Sequence, residues 1–385
     1  MDSLKESLLS ARKVPKTTES QAIKAMVSSD KTWLLLVFIP LGFAASAFGG
    51  SSGLVFTLNF LAMIPLARIL GDATEEVAAG LKSDTLGGLL NATFGNAVEM
   101  ILTVQTIRSG LLTVAKGALL GSILSNLLLV LGMSFFFGGI GKKGKEQEFK
   151  ESGPLVSMTM LLLAVVAFSV PTVIASTHHE HSLPNVALSV SRIGSVLILI
   201  SYVAYLVFQL YTHRENFEDT GDDDGAAGAT MSVKSSCAVL CLTTTLVAAS
   251  SECLVSRIEQ VAHDWHISQA FIGVILLPII GNACEHVSAI RMSIHDRPIL
   301  SIGIAVGSSC QIAMFVIPMS VLLGWWMGVD IDLNFETVNV VILALSVVIV
   351  TVILVDGKST WIEGFMLQIT YLVIATAYWY NLEEL

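Results

Sequence analysis

Apolar runs long enough to cross a lipid bilayer make up most of this chain. Of its 385 residues, 54% are hydrophobic and 14% are charged, whereas average soluble proteins carry about 25% charged residues. The runs are roughly 17–25 residues long, which is the length a helix needs to cross a hydrocarbon core about 30 Å thick. A bilayer admits only helices and closed barrels, and the alternating pattern of barrel strands is missing, so the sequence predicts an all-α integral membrane protein. We expect eleven transmembrane helices, near residues 32–48, 52–71, 86–107, 116–137, 155–176, 188–212, 234–256, 269–292, 300–327, 338–355 and 360–380.

One five-residue pattern, Gly-Asn-Ala-x-Glu, occurs twice inside these apolar runs. The copies are residues 95–99 and 281–285, which lie 186 positions apart. Each places a carboxylate within a membrane-length segment, where a charge costs on the order of 3 kcal/mol, so each marks a functional site. A second segment, GSILSN at 121–126, aligns with GSSCQI at 307–312 at the same offset. Two segments that share one offset indicate an internal repeat.

The repeat divides the chain into two halves of five helices each, spans two to six and spans seven to eleven, with the first span left over. An odd number of helices in each half forces the halves into opposite orientations, which is the inverted-repeat architecture of secondary transporters. The predicted divisions are a cytosolic N-terminal tail (1–31), an extra transmembrane helix (32–48), a first repeat (52–212), an acidic cytosolic linker (213–232) and a second repeat (233–381).

The distribution of Lys and Arg predicts the orientation in the membrane. With the N-terminus in the cytosol, all but four of the 21 basic residues lie on the cytosolic side, and the four are Arg108, Lys116, Arg192 and Arg257. Cytosolic loops carry the excess of basic residues in membrane proteins, so the inverse topology is rejected. The C-terminus then lies on the lumenal side. The polar N-terminal tail lacks an apolar stretch, so we expect no cleaved signal peptide.

The linker between the halves is acidic. Its sequence, ENFEDTGDDDGAAGA, carries six acidic residues followed by Gly and Ala, which is typical of a flexible, solvated segment. Alternatively, its carboxylates attract cations to the cytosolic mouth or sense them. It lacks the ligand spacing and the terminal Glu of an EF-hand loop, so we expect no discrete calcium site there.

The two intramembrane carboxylates, Glu99 and Glu285, predict an ion site. Their hard oxygens suit Ca²⁺, Mg²⁺, Mn²⁺ or Na⁺ rather than copper or zinc. The residues just before them are expected to loosen each helix and free backbone carbonyls as ligands; these residues are Gly95, Asn96, Gly281 and Asn282. The following helix of each half adds neutral oxygens, from Ser122, Ser125, Asn126, Ser308 and Gln311. Together these groups offer the six to eight oxygens that Ca²⁺ prefers.

A purely structural alternative exists for each of these groups. Small and polar residues also pack membrane helices against one another, which accounts for the Ser, Asn and Gln side chains. For Glu99 and Glu285 the alternative is a buried hydrogen bond between helices.

Two facing carboxylates also form a proton site. Without a cation, like charges in a low dielectric cannot both stay ionised, so protons take the place of the metal. When Ca²⁺ binds, both carboxylates must be ionised. One site that holds either the divalent ion or protons is an exchange mechanism, provided that it faces each side of the membrane in turn.

A second, weaker pair of carboxylates is Glu75 and Glu252. In the predicted topology they lie at opposite ends of spans two and seven, as equivalent residues of an inverted repeat should. They are candidates for the two entrances, although ordinary carboxylates at the membrane interface fit nearly as well. The adjacent Glu76 leaves the choice of residue in the first half open.

Histidines offer further proton-active groups. His286 follows Glu285 directly, but successive residues of a helix do not share a face, so it need not touch the same ion. It is a candidate proton relay or gate, or else a packing histidine. Five others are predicted in lumenal loops, where they would titrate in an acidic lumen; these are His178, His179, His181, His263 and His266.

Three segments resemble the signature repeats of the cation/proton exchangers, the Ca²⁺/H⁺ antiporters of the calcium/cation antiporter superfamily. They are GLLNATFGNAVEMI at 88–101, GNACEHVSAI at 281–290 and GSSCQIAMFVIP at 307–318. ATEE at 73–76 resembles the family's Ala-Thr-Glu, carried here on Glu75. The resemblance covers spans two to eleven and implies an 11-helix fold, with Glu99 and Glu285 at the central cation/proton site. It also implies a vacuole or another acidic store as the location, and Ca²⁺, or Mn²⁺ and other divalents in some members, as the cargo.

The expected function is therefore exchange of cytosolic Ca²⁺ for lumenal protons, without a cofactor or a nucleic-acid partner and with the oligomeric state open. The nearest alternative is a Na⁺-coupled Ca²⁺ exchanger of the same superfamily, which shares the repeat. A channel is disfavoured because the repeat is typical of a carrier. An intramembrane enzyme is disfavoured because HExxH and an Asp pair within the spans are missing, and the GxSxG match at 49–53 falls at the connection between the first two spans and not inside one.

Overall fold

The structure is a computed structural model that describes residues 18–28, 31–81, 83–142, 146–177, 184–217 and 229–380. Its helices are α1 (Glu19–Ser28), α2 (Lys31–Ala47), α3 (Ser52–Gly80), α4 (Asp84–Phe94), α5 (Ala97–Arg108), α6 (Leu112–Gly141), α7 (Ser152–Thr177), α8 (Pro184–Val207), α9 (Val233–Val255), α10 (Ile258–Trp265), α11 (Gln269–Gly281), α12 (Ala283–Ile294), α13 (Pro298–Met327), α14 (Thr337–Leu354) and α15 (Trp361–Trp379). Three of the predicted lumenal histidines (178, 179 and 181), most of the acidic linker and the C-terminal residues 381–385 lie outside the described residues.

Within the described part of the chain, seven helices are long and apolar enough to cross a membrane, or nine if two bent helix pairs are each taken as one span. The bent pairs are α1 with α2 and α10 with α11. The predicted all-helical membrane fold is therefore present, whereas the predicted number of eleven spans is not confirmed. Two of the predicted spans, 86–107 and 269–292, are each divided into two shorter helices, which lowers the number of long ones.

Local sequence explains where several helices begin. Ser232 accepts a hydrogen bond from the backbone N–H of Ser235 at 3.3 Å and so caps α9. Ser268 caps α11 in the same way through Phe271 N–H at 3.0 Å. Thr360 and Glu363 form a reciprocal capping box at the start of α15. Such caps satisfy backbone donors that a helix leaves free at its N-terminus.

The two Gly-Asn pairs interrupt their helices. Between α4 and α5 the chain turns at Gly95 and Asn96, and Asn96 has non-helical dihedral angles (φ −110°, ψ 34°). A Cβ at Gly95 would lie 2.6 Å from the carbonyl oxygen of Asn91, so a larger residue does not fit this turn. Asn282 separates α11 from α12 in the same way, with φ −87° and ψ 11°.

Helix bounds recur at the offset that the sequence motifs share. α5 (Ala97–Arg108) and α12 (Ala283–Ile294) begin and end 186 positions apart. A π-helical turn inside α6 ends at Val130 and one inside α13 ends at Val316, again 186 positions apart. The turns that precede α6 and α13 each contain a left-handed residue, Gly110 and Asp296, at the same offset. The repeat thus extends from the motifs to the local backbone.

Some described segments differ from their predicted state. Part of the predicted tail is helical (α1), and the predicted loop between spans seven and eight contains α10, which includes His263. α10 forms because its apolar Ile258, Val261 and Ala262 recur at helical spacing and are buried. α3 continues past the predicted end at residue 71 to Gly80, because Ala73 and Val77 continue its buried face at helical spacing.

Two large clusters of buried apolar side chains hold the helices together. One joins α6 to α13 and α14, through residues such as Leu124, Met314 and Val347. The other joins α3 to α9, through residues such as Leu66 and Val247. A short antiparallel ribbon of β1 (Gln147–Glu148) and β2 (Lys358–Ser359) ties two loops together. The motif helices α5 and α12 pack between these elements.

Candidate functional site

Both helix breaks face one cavity of about 230 Å³. Its polar wall consists of Thr74, Glu75, Asn91, Asn96, Glu99, Glu285, Ser288, Ser308 and Gln311. The cavity is far larger than the roughly 10–15 Å³ that a single water needs. We refer to the side of the carboxylates that holds this cavity as the Glu75 side, and to the opposite side, towards Lys116, as the Lys116 side.

The two motif carboxylates are the charged centre of this cavity. Glu99 is 5% exposed, and Glu285 is half-buried. Each lies in the first turn of its helix, where the partial positive charge of the helix N-terminus favours an anion. Both groups line the same cavity, and like charges that share one site repel each other when both are ionised.

One oxygen of each carboxylate is left without a hydrogen-bond partner among the described residues. These atoms are Glu99 Oε1 and Glu285 Oε2. A buried charge that lacks a partner is costly, so buried charges are normally paired, metal-bound or neutralised. The arrangement therefore suits a bound cation or bound protons. A Cβ added to Gly281 would lie 2.7 Å from Glu99 Oε1, so the glycine gives this oxygen its space.

Neutral side chains of the two halves form a chain of hydrogen bonds beside the carboxylates. Asn96 Nδ2 donates to Gln311 Oε1 at 2.7 Å, and Ser308 donates its hydroxyl to Asn96 Oδ1 at 2.9 Å. Asn126 Nδ2 in turn donates to Ser308 Oγ at 3.1 Å. These hydrogen bonds link α5 and α6 of the first half to α13 of the second, and they fix amide and hydroxyl oxygens next to the cavity.

Asn282 makes the equivalent crossing contact from the second half. Its Nδ2 donates to the backbone carbonyl of Ser122 at 3.1 Å. Asn282 corresponds to Asn96, and Ser122 corresponds to Ser308, so each motif Asn contacts the Ser segment of the other half. The Oδ1 atoms of Asn282 and Asn126 have no hydrogen-bond partner among the described residues.

The structure divides the predicted ligands into three groups. Those on the cavity wall are Gly95, Asn96, Glu99, Gly281, Glu285, Ser308 and Gln311. Ser122 lies on the Lys116 side of Glu99, in a void of about 10 Å³. The side chains of Ser125, Asn126 and Asn282 are fully buried and do not line the cavity. The last group therefore supports the wall rather than reaching the cavity itself.

The entrance carboxylates differ sharply between the halves. Glu75 lines the cavity at its exposed end. Glu76 instead accepts hydrogen bonds from Thr230 and from Met231 N–H, so it holds the chain that enters α9. Glu252 is exposed on α9 and does not line the cavity. Of the two adjacent glutamates in the first half, Glu75 is thus the one at the cavity.

His286 faces away from the carboxylates. Its Nδ1 lies 2.8 Å from the carbonyl oxygen of Asn282, one turn earlier. It lines a separate cavity of about 340 Å³ between α3 and α12, with Arg68 and Arg291 among its neighbours. A direct contact between His286 and an ion held by the carboxylates is therefore not part of this arrangement.

Sequence reasoning missed several residues at the site. Thr103 lies one turn after Glu99 and shares the small void with it. Ser288 lies one turn after Glu285 on the cavity wall, and Gly303 lines the wall with no heavy atom within 4 Å of its Cβ position. Helical spacing of three and four residues from each motif Glu was the signal that would have found Thr103 and Ser288.

Among the described residues no group of three or more His, Cys, Asp or Glu side chains is placed to hold a metal ion. A cation between Glu99 and Glu285 would accordingly need neutral oxygens to complete its shell. Oxygen donors of this kind suit Ca²⁺ and other hard cations.

Polar contacts tie the loops together on the Glu75 side. Lys142 forms an ion pair with Asp296, and Gln147 Nε2 donates to the carbonyl of Ser293 at 2.8 Å. The hydrogen bond from Lys142 lowers the pKa of Asp296. These loops are the connections after α6 and α12, one from each half, so the contacts join the halves at this face.

Comparison with known proteins places the chain among ion exchangers. The profile of the sodium/calcium exchanger protein family matches residues 51–211 and 235–380. Vacuolar cation/proton exchanger 5 of Arabidopsis thaliana is 40% identical over 376 residues, which cover 95% of this chain and 85% of the relative. The crystal structure of the selenium-substituted Ca²⁺/H⁺ antiporter protein YfkE is 34% identical with a TM-score of 0.76, and the match covers 90% of this chain and 98% of that one. The sodium-calcium exchanger NCX_Mj shares the fold at 16% identity, with a TM-score of 0.55 over 88% of this chain and 99% of that one.

Proposed function

This chain belongs to the sodium/calcium exchanger protein family and, within it, to the cation/proton exchangers, and we propose that it exchanges cytosolic Ca²⁺ for lumenal protons. One observation carries the proposal. Two carboxylates, one from each half, face a single cavity, and each keeps one oxygen without a hydrogen-bond partner among the described residues. Such oxygens bind a divalent cation when both groups are ionised, or protons when it leaves.

The residue roles follow from position. Glu99 and Glu285 bind the cation or the protons, and Asn96, Ser308 and Gln311 supply neutral oxygens from the wall. Backbone carbonyls freed at the breaks around Gly95 and Gly281 are further ligands. Ser122 contacts the ion from the Lys116 side, while Ser125, Asn126 and Asn282 hold the ligands in place. Glu75 attracts the cation at the mouth of the cavity, and Glu252 has the same role when the opposite side opens.

Exchange requires the site to face the two sides of the membrane in turn. We propose that spans two to six and seven to eleven are inverted repeats and that, with the first helix, the chain crosses the membrane eleven times. The recurrence of helix bounds and π-helical turns at one offset supports the repeat. The distribution of Lys and Arg supports a cytosolic location for the N-terminus and the Glu75 side, and with it a conformation that is open to the cytosol.

The proposed location is the membrane of a vacuole or another acidic organelle, in keeping with the vacuolar exchangers among its relatives. An acidic lumen supplies the driving force. Each tenfold gradient is worth about 1.4 kcal/mol, so a pH difference of about two units coupled through two protons sustains roughly a 10⁴-fold Ca²⁺ gradient in the absence of a voltage.

Ca²⁺ uptake into sealed proteoliposomes tests the proposal. With an imposed pH gradient, acidic inside, and with Na⁺ absent, we expect uptake that stops when a protonophore collapses the gradient. Glu99→Gln and Glu285→Gln keep the side-chain shape but remove the charge. Since loss of a partner that only orients a metal ligand costs roughly 10–100-fold, loss of a ligand should lower uptake by at least about 100-fold. Glu259→Gln, on the exposed surface of α10, is the matched control and should behave as the parent protein.

A Na⁺-coupled Ca²⁺ exchanger is the second candidate, because NCX_Mj has the same fold. Uptake that occurs under a Na⁺ gradient and not under a pH gradient would replace the proton proposal with this one. Near-normal uptake in both Gln variants would remove the two carboxylates from the site.

A further inference from the structure

The route on the Lys116 side of the carboxylates is closed by close backbone contact. The void that Glu99 shares with Thr103 and Ser122 has a volume of only about 10 Å³. Beyond it, α6 and α11 touch directly, because a Cβ on Gly121 would overlap the carbonyl oxygen of Val274. An ion at the carboxylates therefore has no path in this direction unless these helices separate.

A second cavity, of about 130 Å³, borders this contact. Lys116, Leu120 and Val274 form its inner wall, and Asn334, Glu336 and Asn339 lie at its outer part. Lys116 and Leu120 lie one turn apart on α6 and face this cavity, whereas Ser122 faces the small void next to Glu99, so the two spaces lie on different sides of α6. Lys116 thus lies beside the contact between α6 and α11 that closes this side, since Val274 lines the same cavity.

Lys116 is held by the loop that joins α13 to α14. Its ammonium forms an ion pair with Asp332 and donates to the carbonyl oxygen of Asn334 at 2.9 Å. Asp332 also accepts a hydrogen bond from Asn334 N–H at 3.0 Å, so the carboxylate is fixed by its own loop. Both charged side chains are largely buried, with 22% and 24% of their surface exposed.

The loop itself, residues 328–336, is seated firmly against the helices. Ile331, Leu333 and Phe335 are 2%, 0% and 4% exposed. Leu333 N–H donates to Ser191 Oγ at 3.0 Å, and Phe335 N–H donates to Thr172 Oγ1 at 3.3 Å. The loop therefore joins α6 to α7 and α8, and Lys116 is its charged contact with α6.

We propose that Lys116 and Asp332 form the gate of the Lys116 side, which closes while the site faces the Glu75 side and must release for the site to face the other way. This inference depends on the proposed exchange function, because a gate is needed only if the site faces each side in turn. The ion pair fastens the loop to α6 beside the place where α6 meets α11, so it holds that contact closed. When the pair separates, the loop loses its hold on α6, and the helices can part. Lys116 acts on the ion through the position of α6 and the loop, so it is a positioning residue.

Thiol labelling at Thr103 tests the gate directly. Thr103→Cys is introduced in the full-length protein after the five native cysteines are replaced by serine or alanine. A membrane-impermeant thiol reagent is then applied from the Lys116 side without Ca²⁺. Thr103 is 1% exposed, so the parent should label slowly. Lys116→Met should increase the labelling rate at least tenfold, Asp332→Asn should do the same, and Lys116→Arg should restore most of the protection.

The ion pair of Arg192 with Asp330 is the matched control. It joins the same loop to α8 at 3.0 Å, and Arg192 also lies over the ring of Trp325, but neither charged residue lines the cavity. Arg192→Gln should leave the labelling rate at Thr103 unchanged. Labelling in Lys116→Met no faster than in the parent, or equal acceleration in Arg192→Gln, would overturn the gate.

A charge exchange keeps the test decisive if a single variant folds poorly. Lys116→Asp combined with Asp332→Lys should label as slowly as the parent, whereas each reversal alone should label fast. Because labelling is measured without Ca²⁺ and without a proton gradient, its outcome does not depend on the exchange reaction. Failure of uptake in proteoliposomes and failure of the gate are therefore separate results.

Discussion

Gly121 and Gly307 are equivalent residues of the two halves, yet they have opposite surroundings. A Cβ on Gly121 would overlap Val274, whereas nothing lies within 4 Å of the same position on Gly307. The cavities differ in the same sense, with about 230 Å³ on the Glu75 side and about 10 Å³ next to Glu99 on the Lys116 side. Two halves with one sequence pattern are thus packed tightly on one side of the carboxylates and loosely on the other.

This difference teaches that the asymmetry belongs to the conformation and not to the motifs. The carboxylates, the helix breaks and the π-helical turns recur in both halves, so neither half is specialised by its motif for the open or the closed role. In the proposed inverted repeat, exchange of the two packing arrangements between the halves would turn the site to the opposite face. The free energies of two such states usually differ by a few kcal/mol, so the second state is rare but present.

The largest expected effect is one-sided access to the site. In the cysteine-free background, Gly303→Cys on the open wall should react with an impermeant thiol reagent from the Glu75 side. Thr103→Cys should react from the Lys116 side more slowly by roughly 10–1,000-fold, since a minor state is typically 0.1–10% populated. Labelling rates measured on oriented vesicles check this, and equal rates at the two positions would break the comparison.

A smaller effect is expected from filling the space beside Glu99. Gly281→Ala would place a methyl group 2.7 Å from Glu99 Oε1. Overpacking of this kind costs about 1–3 kcal/mol, which corresponds to about 5- to 150-fold in Ca²⁺ affinity if the cost falls on the bound state. Gly303→Ala is the matched control, because Gly303 lines the same cavity with no atom within 4 Å. Calorimetric titration measures the Ca²⁺ affinity of each variant. Similar affinities in Gly281→Ala and Gly303→Ala would show that Gly281 is not part of the ion site.

The smallest effect is expected at the loops of the Glu75 side. Asp296 is exposed and pairs with Lys142, and Asp296→Asn should lower the free energy of unfolding by at most roughly 1 kcal/mol, as for other exposed ion pairs. The lowered pKa of Asp296 means that its contribution is present above the unfolded value of about 3.9 and is lost as pH falls through the folded value. The gap between the melting temperatures of parent and variant should therefore close below about pH 4. A gap that widens in acid would contradict this assignment.

Much of the fold and of the site could be predicted from the sequence, and the remaining features could not be predicted for physical reasons. Apolar run length predicts the membrane helices. The offset of 186 predicts that Glu99 and Glu285 are equivalent residues of the two halves of a repeat. The helix breaks follow from the Gly-Asn pairs. Run length alone does not predict how each broken span divides, so the number of spans stays a prediction.

The environment of single residues was harder to predict. The sequence does not distinguish Glu75 from Glu76, whereas in the structure Glu75 lines the cavity and Glu76 accepts a hydrogen bond from Thr230. His286 neighbours Glu285 in sequence but lines another cavity, because consecutive helical residues point in different directions. Lys116 and Asp332 lie 216 positions apart, and no periodic pattern connects a helix to a distant loop.

The central claim is that Ca²⁺ and protons compete for the same two carboxylates, and Ca²⁺ affinity measured against pH tests it most directly. In purified protein, affinity should weaken as the pH falls, by up to about tenfold per pH unit for each proton displaced, with matching proton release on Ca²⁺ binding. Glu99→Gln and Glu285→Gln should each reduce that proton release. Ca²⁺ affinity that is independent of pH, without proton release, would contradict the account.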